Sequence, residues 1–274
     1  MNEHPLFRDP AEETWRLFRI MAEFVDGFEA MSQVGKAISI FGSARTRPSA
    51  PHYKAAREVG ARLAREGFAV ITGGGPGIME AANRGAHEAG GHSIGLNIAL
   101  PHEQKPNRFQ SIGVEFHYFF VRKVMFVKYS LGLICFPGGF GTLDEFFESM
   151  TLIQTEKSPR HPVVLFDTAY WRPMIKFMEK TLLNEYGAIS RRDLDLFFLT
   201  DDIDEAVMHV CSCVDKSLHE LRHPSRQEEL RMPMERRISG EGLRLGRPSF
   251  TRSKAKTRRP LVGRRASGKR GKRV

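Results

Sequence analysis

Leu131-Gly132-Leu133-Ile134-Cys135-Phe136-Pro137-Gly138-Gly139-Phe140-Gly141-Thr142-Leu143-Asp144-Glu145 is the stretch on which the fold turns. An apolar run leads into a turn rich in glycine, and Phe146-Phe147-Glu148-Ser149-Met150 follows, so the segment reads as strand, turn and the first part of a helix. Gly138, Gly139 and Gly141 let a ligand come close to the backbone with no Cβ in the way, and the N–H groups that open a helix have no intrahelical partner. Together these features make an anion site, most naturally one for phosphate. Thr142 adds a hydroxyl that either caps the helix or holds a phosphate oxygen, and Glu145, three residues on, stands at capping-box spacing. Glu145 therefore reads in two ways: as a cap, or as a carboxylate one turn from a bound phosphate and placed to act on the sugar it carries.

Working outward, strands and helices alternate. Ala37–Phe41, Phe68–Thr72, His92–Ile98, Ser111–Phe116, Leu131–Phe136, Val163–Asp167 and Leu196–Leu199 read as strands. Helices are expected over 51–65, 78–89, 118–130, 142–155, 171–184 and 203–214. Continuous apolar strands alternating with helices predict an α/β fold, a parallel sheet covered on both faces. Ligands in such sheets bind beyond the carboxyl ends of the strands. A second glycine turn, Gly73-Gly74-Gly75-Pro76-Gly77, lies at such an end and lines the same crevice, which makes Gly74 and Gly75 further phosphate-binding candidates. Ahead of this unit, residues 11–31 place Trp15, Phe18, Met21, Val25 and Phe28 at helical spacing, an amphipathic helix that needs a partner surface. The chain thus divides into an N-terminal helical segment (1–35), a nucleotide-binding α/β domain (36–221) and a tail (222–274).

The net charge of +10 belongs to the tail. Residues 222–274 hold 18 Lys and Arg against 4 Glu, a net of +14, which leaves 24 basic and 28 acidic residues in 1–221, a net of −4. With little apolar surface to offset ordering entropy, the tail is expected to be disordered, and it reads in two ways: as a nonspecific binder of polyanions or as a solvated segment with no partner. No run approaches the roughly 20 apolar residues of a membrane span, and residues 1–16 have no apolar core of the signal-peptide kind, so a cytoplasmic protein with no membrane partner is expected. Cys135, Cys211 and Cys213 are too few and too poorly spaced for a disulfide framework or a zinc site. His52, His87, His92, His102 and His117 read as surface or packing residues, and neither a metal nor a cofactor is expected.

Known nucleotide motifs narrow the class. Gly73–Gly77 is not G-x-G-x-x-G, because position 78 is Ile, and the strand ending at Ile98 has no acid to hold a ribose. A dinucleotide oxidoreductase is disfavoured, and no G-x-x-x-x-G-K-[ST] supports a P-loop. Arg122 and Lys123 interrupt the apolar segment Phe119–Val127, where cations are better explained by a ligand or partner than by solvent.

Gly73 to Glu80, Arg122-Lys123 and Pro137 to Glu145 resemble the LOG (LONELY GUY) family, often labelled lysine decarboxylase-like, whose signature is P-G-G-x-G-T-x-x-E. The resemblance covers roughly residues 36–215. It implies a Rossmann-like, doubly wound fold and a phosphoribohydrolase that splits a nucleoside 5′-monophosphate, with a purine or N6-modified adenine base, into free base and ribose 5-phosphate. By motif position it implies Arg122 and Glu145 as the catalytic pair, Lys123 as a substrate contact and Gly138 to Thr142 as the phosphate loop. It also implies Thr151 and, upstream, Glu103 as substrate contacts, and a homodimer or higher even-numbered oligomer.

The chemistry stands beside the resemblance. Cleaving an N-glycosidic bond passes through an oxocarbenium-like sugar, which a fixed carboxylate stabilises or serves by activating water. Arg122 fits either the phosphate or the departing purine. The competing reading is a carrier that holds a nucleotide or cofactor phosphate through the same turns without turnover, and the pairing of Arg122 with Glu145 favours the enzyme.

Overall fold

The computed structural model describes residues 10–100 and 105–222. The expected tail, Glu103 and the first nine residues lie outside the described residues. Seven parallel strands form one sheet: β1 (Ala37–Phe41), β2 (Ala69–Thr72), β3 (Ser93–Ile98), β4 (Ile112–Phe116), β5 (Leu133–Cys135), β6 (Val163–Phe166) and β7 (Phe198–Thr200), in the order β4-β3-β2-β1-β5-β6-β7. The central strands are buried along their length, as their unbroken apolar sequences require. The strand order reverses between β1 and β5, where Phe41 pairs with Cys135. That switch point opens a crevice at the carboxyl ends of the strands.

Among the described residues seven α-helices cover the sheet: α1 (Pro10–Met31), α2 (Pro51–Arg65), α3 (Ile78–Glu88), α4 (Phe119–Tyr129), α5 (Phe140–Gln154), α6 (Thr168–Phe177) and α7 (Ile203–Arg222). Strand residues alternate between two cores. Ala37, Phe41, Ile71, Leu133 and Leu165 pack with Met125, Phe146, Trp171 and Met178 on one face. Ile38, Ile40, Val70, Ile134 and Val164 pack with Leu63, Ile78, Ala82 and Val210 on the other. On the second face α2 and α3 approach so closely that a Cβ on Gly85 would meet the Arg57 carbonyl at 1.8 Å.

α1 joins the first core through Met31, Ile20 and Phe24. Its Glu23 reaches the start of α4, accepting from the His117 N–H (3.0 Å) and the Tyr118 N–H (3.2 Å). The N-terminal helix therefore holds the two residues that lead into the helix carrying Arg122 and Lys123. Its outer face leaves Trp15, Leu17, Phe18, Met21 and Val25 exposed.

Two helices differ from expectation. α5 begins at Phe140 with Gly139 as N-cap, so Thr142 is its third residue and Glu145 its sixth, and the capping-box reading of Glu145 falls. α6 begins three residues earlier than expected, because the Asp167 carboxylate accepts from the Tyr170 N–H (3.1 Å) and Asp201 from the Thr168 N–H (2.6 Å). It continues as a π-helical segment over Met178–Glu185. A short 3₁₀ segment, Arg191–Asp195, was not legible in advance.

Candidate active site

Three turns meet at the switch point. Ser43, just after β1, stands between the two glycine turns: its N–H donates to the Pro137 carbonyl (3.0 Å) and its carbonyl accepts from the Ile78 N–H (3.0 Å). Gly77 has φ +71°, and a Cβ there would meet the Ser43 carbonyl at 2.3 Å, so only glycine permits this contact. Ser43 carried no motif, and sequence alone did not single it out.

The loop after β5 is open to a ligand. Nothing lies within 4 Å of a Cβ built on Gly139 or Gly141, whereas one on Gly138 would strike the Thr142 hydroxyl at 2.0 Å. Gly138 is thus needed for packing against buried Thr142, and Gly139 and Gly141 for access. The first backbone bonds of α5 run from Thr142 and Leu143 to the Gly139 carbonyl (3.0 and 3.1 Å), leaving the amides of Phe140 and Gly141 outside the helical ladder. No side chain caps this end and no acid lies in its first turn, so the positive end of the helix dipole is unopposed.

The turn after β2 is tied down. The Gly74 N–H donates to the Thr72 hydroxyl (3.0 Å), and the Gly74 carbonyl accepts from the Asn107 N–H (2.8 Å), Asn107 Nδ2 (3.0 Å) and Gln110 Nε2 (2.8 Å). The Gly75 carbonyl accepts from Asn107 Nδ2 at 3.1 Å. Behind them Asn83 holds Thr72, Ser93 and Asn107 in a buried polar network. Both peptide groups of Gly74 are occupied, a geometry that shapes the crevice wall. Asn107 and Gln110 were missed in the sequence because a loop amide has no pattern to betray it.

Arg122 extends from α4 over the ends of β3 and β2. Its Nε donates to the Leu96 carbonyl (2.7 Å), an Nη to the Gly73 carbonyl (3.4 Å), and the guanidinium lies 5.3 Å from the Phe126 ring centre. A Cβ on Gly73 would meet it at 2.3 Å, so that glycine makes room for the arginine. Burial lowers its pKa from the ordinary value while the charge of Glu145 works to raise it. A guanidinium remains a cation even so.

Glu145 faces this arginine without forming a direct ion pair with it. Among the described residues no group hydrogen-bonds its carboxylate. Burial pushes its pKa up to about 7, opposed by Lys123 and Arg122 and assisted by Glu148 and Asp144. A carboxylate with no hydrogen bond and a pKa raised by burial marks a candidate functional group. Lys123 is engaged elsewhere, pairing with Asp144 (2.8 Å) and Glu148 (3.1 Å). Burial tends to lower its pKa, but those acids raise it overall.

Thr151 is not brought into the crevice of its own chain. It lies about 9 Å further along α5 than Glu145, is exposed, and donates to the Phe147 carbonyl at 2.8 Å. The structure therefore brings together Arg122, Glu145, Gly138, Gly139, Gly141 and Thr142, with Gly74 and Gly75 as wall and Lys123 as a neighbour. Among the described residues no three His, Cys, Asp or Glu converge as metal ligands, and no helix is long and apolar enough to cross a membrane.

Fold and site together define a Rossmann-like α/β protein with an open glycine loop at the switch point and a half-buried carboxylate beside it. A family described as possible lysine decarboxylase matches residues 79–210. A probable cytokinin riboside 5′-monophosphate phosphoribohydrolase of Oryza sativa subsp. japonica is 28% identical over 153 residues, 54% of this chain and 61% of that protein, so the chain spans less than two thirds of this relative. The cytokinin riboside 5′-monophosphate phosphoribohydrolase of Rhodococcoides fascians is 25% identical over 182 residues, 65% of this chain and 90% of that protein. An X-ray structure of the protein TM1055 matches with a TM-score of 0.50 at 24% identity, covering 65% of this chain and 99% of the other, a likeness of fold. The chain belongs to the LOG family.

Proposed function

We propose that this protein is a nucleoside 5′-monophosphate phosphoribohydrolase, cleaving the N-glycosidic bond of purine or N6-modified adenine monophosphates to free base and ribose 5-phosphate. The observation that carries the proposal is Glu145: a half-buried carboxylate with no hydrogen-bond partner among the described residues, on a helix whose glycine N-terminus is uncapped. The phosphoribohydrolase names of the relatives support the same activity.

A 5′-phosphate on the Phe140 and Gly141 amides would place its ribose alongside the first turns of α5, since Glu145 lies five residues beyond Phe140, about 7.5 Å of helix rise. Binding of the non-reacting phosphate then holds the anomeric carbon against the carboxylate. As the base departs, the ionised Glu145 stabilises positive charge developing on the ribose and orients the attacking water. Its pKa of about 7 suits a group that must also accept a proton from that water. Arg122, fixed by two backbone carbonyls on the β2–β3 side, supplies positive charge opposite the glycine loop. Lys123, held by Asp144 and Glu148, keeps the local carboxylates from raising the pKa of Glu145 further.

Turnover of AMP, GMP, CMP and N6-isopentenyl-AMP by the full chain tests the proposal. Base release is expected from the purine substrates, and binding with no release from any monophosphate would establish the carrier reading instead. A homodimer or higher even-numbered oligomer is part of the same proposal, supported by the exposed Trp15, Phe18, Met21, Phe119 and Phe120 on α1 and α4. Light scattering is expected to exceed the 31.1 kDa monomer mass.

A further inference from the structure

Tyr170 lies on α6, outside every motif, yet its hydroxyl donates to the Gly138 carbonyl at 2.7 Å. In a trans peptide the C=O and the following N–H point in opposite directions. Fixing the Gly138 oxygen therefore aims the Gly139 N–H away from Tyr170, and the space where a Gly139 Cβ would stand is open. Without that bond the peptide between two glycines is among the easiest in the chain to rotate.

Tyr170 is itself held with unusual care. Asp167, just after β6, accepts the Tyr170 N–H with one carboxylate oxygen and binds His52 Nε2 with the other at 2.7 Å. Asp167 has φ +88°, a conformation that L residues seldom adopt and that persists only where its surroundings impose it. Trp171, fully buried, donates to the Phe166 carbonyl (3.0 Å) and packs edge-on against the Tyr170 ring with centroids 4.9 Å apart. Asp167 and Asp201 satisfy the amides that open α6, so this helix end does not compete with α5 for an anion.

We infer that Tyr170 is a positioning residue of the phosphate loop: braced by Asp167 and His52, its hydroxyl sets the Gly138–Gly139 peptide so that the Gly139 N–H is presented to the phosphate of the substrate. The inference rests on the proposed phosphate site but not on turnover, because phosphate binding can be measured by itself.

The test is Tyr170→Phe in the full chain, with ribose 5-phosphate binding followed by calorimetry and AMP hydrolysis followed by base release. The ring keeps its packing on Trp171, so the melting temperature should hold. Loss of one hydrogen bond of this kind should weaken ribose 5-phosphate binding and raise the KM for AMP about 3- to 10-fold, with kcat changed less than about twofold and adenosine handling unchanged. Equal ribose 5-phosphate affinity in the two proteins would overturn the inference, as would a fall in kcat with KM unchanged. If the unaltered protein bound ribose 5-phosphate but released no base, the hydrolase proposal would fail while the binding comparison still decided the role of Tyr170. If it bound no ribose 5-phosphate, the inference would fail as well.

Discussion

Gly73–Gly77 and Pro137–Gly141 leave neighbouring regions of one sheet edge, and each runs into a helix, but their backbone groups are spent differently. In the first turn the Gly74 amide and carbonyl and the Gly75 carbonyl are bound by Thr72, Asn107 and Gln110, and the amide opening α3 is taken by Ser43. In the second, one carbonyl is fixed from behind by Tyr170 and the amides opening α5 face an unfilled approach. Glycine serves close packing in the one and ligand access in the other. The same residue type at the same kind of position thus has two physical jobs, separable only by what surrounds it.

The sharpest way to break the comparison is to act beside the open turn. Glu145→Gln is expected to keep the fold and lose about 10²–10⁴-fold in kcat, with ribose 5-phosphate binding retained. Near-normal turnover would remove the carboxylate from the mechanism.

Stability of the same variant tests the burial of that charge. The Glu145 pKa of about 7 stands above the ordinary 4.5. The native state therefore holds its proton more tightly than the unfolded chain, and stability is lost as pH rises from about 4.5 through 7. Glu145→Gln should melt like the parent near pH 4 and above it at pH 8, by a stability difference on the order of 3 kcal/mol at most. A variant less stable than the parent at pH 8 would return Glu145 to a structural role.

Matched alanines then sharpen the contrast between turns. Gly74 has φ +73° and its Cβ would meet Asn97 Oδ1 at 1.9 Å, so Gly74→Ala should destabilise the fold by roughly 1–3 kcal/mol in urea unfolding. Gly141 lies in a helix with open space at its Cβ position, so Gly141→Ala should stabilise by about 0.4–1 kcal/mol while weakening ribose 5-phosphate binding. Two variants with the same sign of stability change would contradict the division of labour.

The smallest effect is expected far from both turns. A chain ending at Leu221 should hydrolyse AMP at the full rate while losing retention on heparin at low salt, since it lacks 18 basic residues whose attraction to a polyanion would be purely electrostatic. Slower turnover in that chain would mean that the tail reaches the site.

Much of this architecture was legible because it rests on local rules. Short runs rich in apolar residues marked the seven strands, and Pro51 and Gly67 bounded α2 closely. The start of α5 was misjudged because Gly139 can serve as an N-cap with no side chain to announce it, and that error created the capping-box reading of Glu145. Arg122 and Glu145 were legible through their motif setting. Ser43, Asn107, Gln110 and Tyr170 were not, since each acts through a backbone carbonyl or amide distant in sequence and contributes no periodicity. His52, read as a surface or packing residue, pairs with an aspartate 115 positions away. Sequence pattern finds groups that act where they stand, whereas long-range supports need the topology.

The most direct measurement of the central claim is the ratio of kcat/KM for AMP to that for adenosine, with base release followed on the full chain. Anchoring of the 5′-phosphate on the open glycine loop predicts a preference for AMP of at least about 100-fold. Equal values for the two substrates would contradict it.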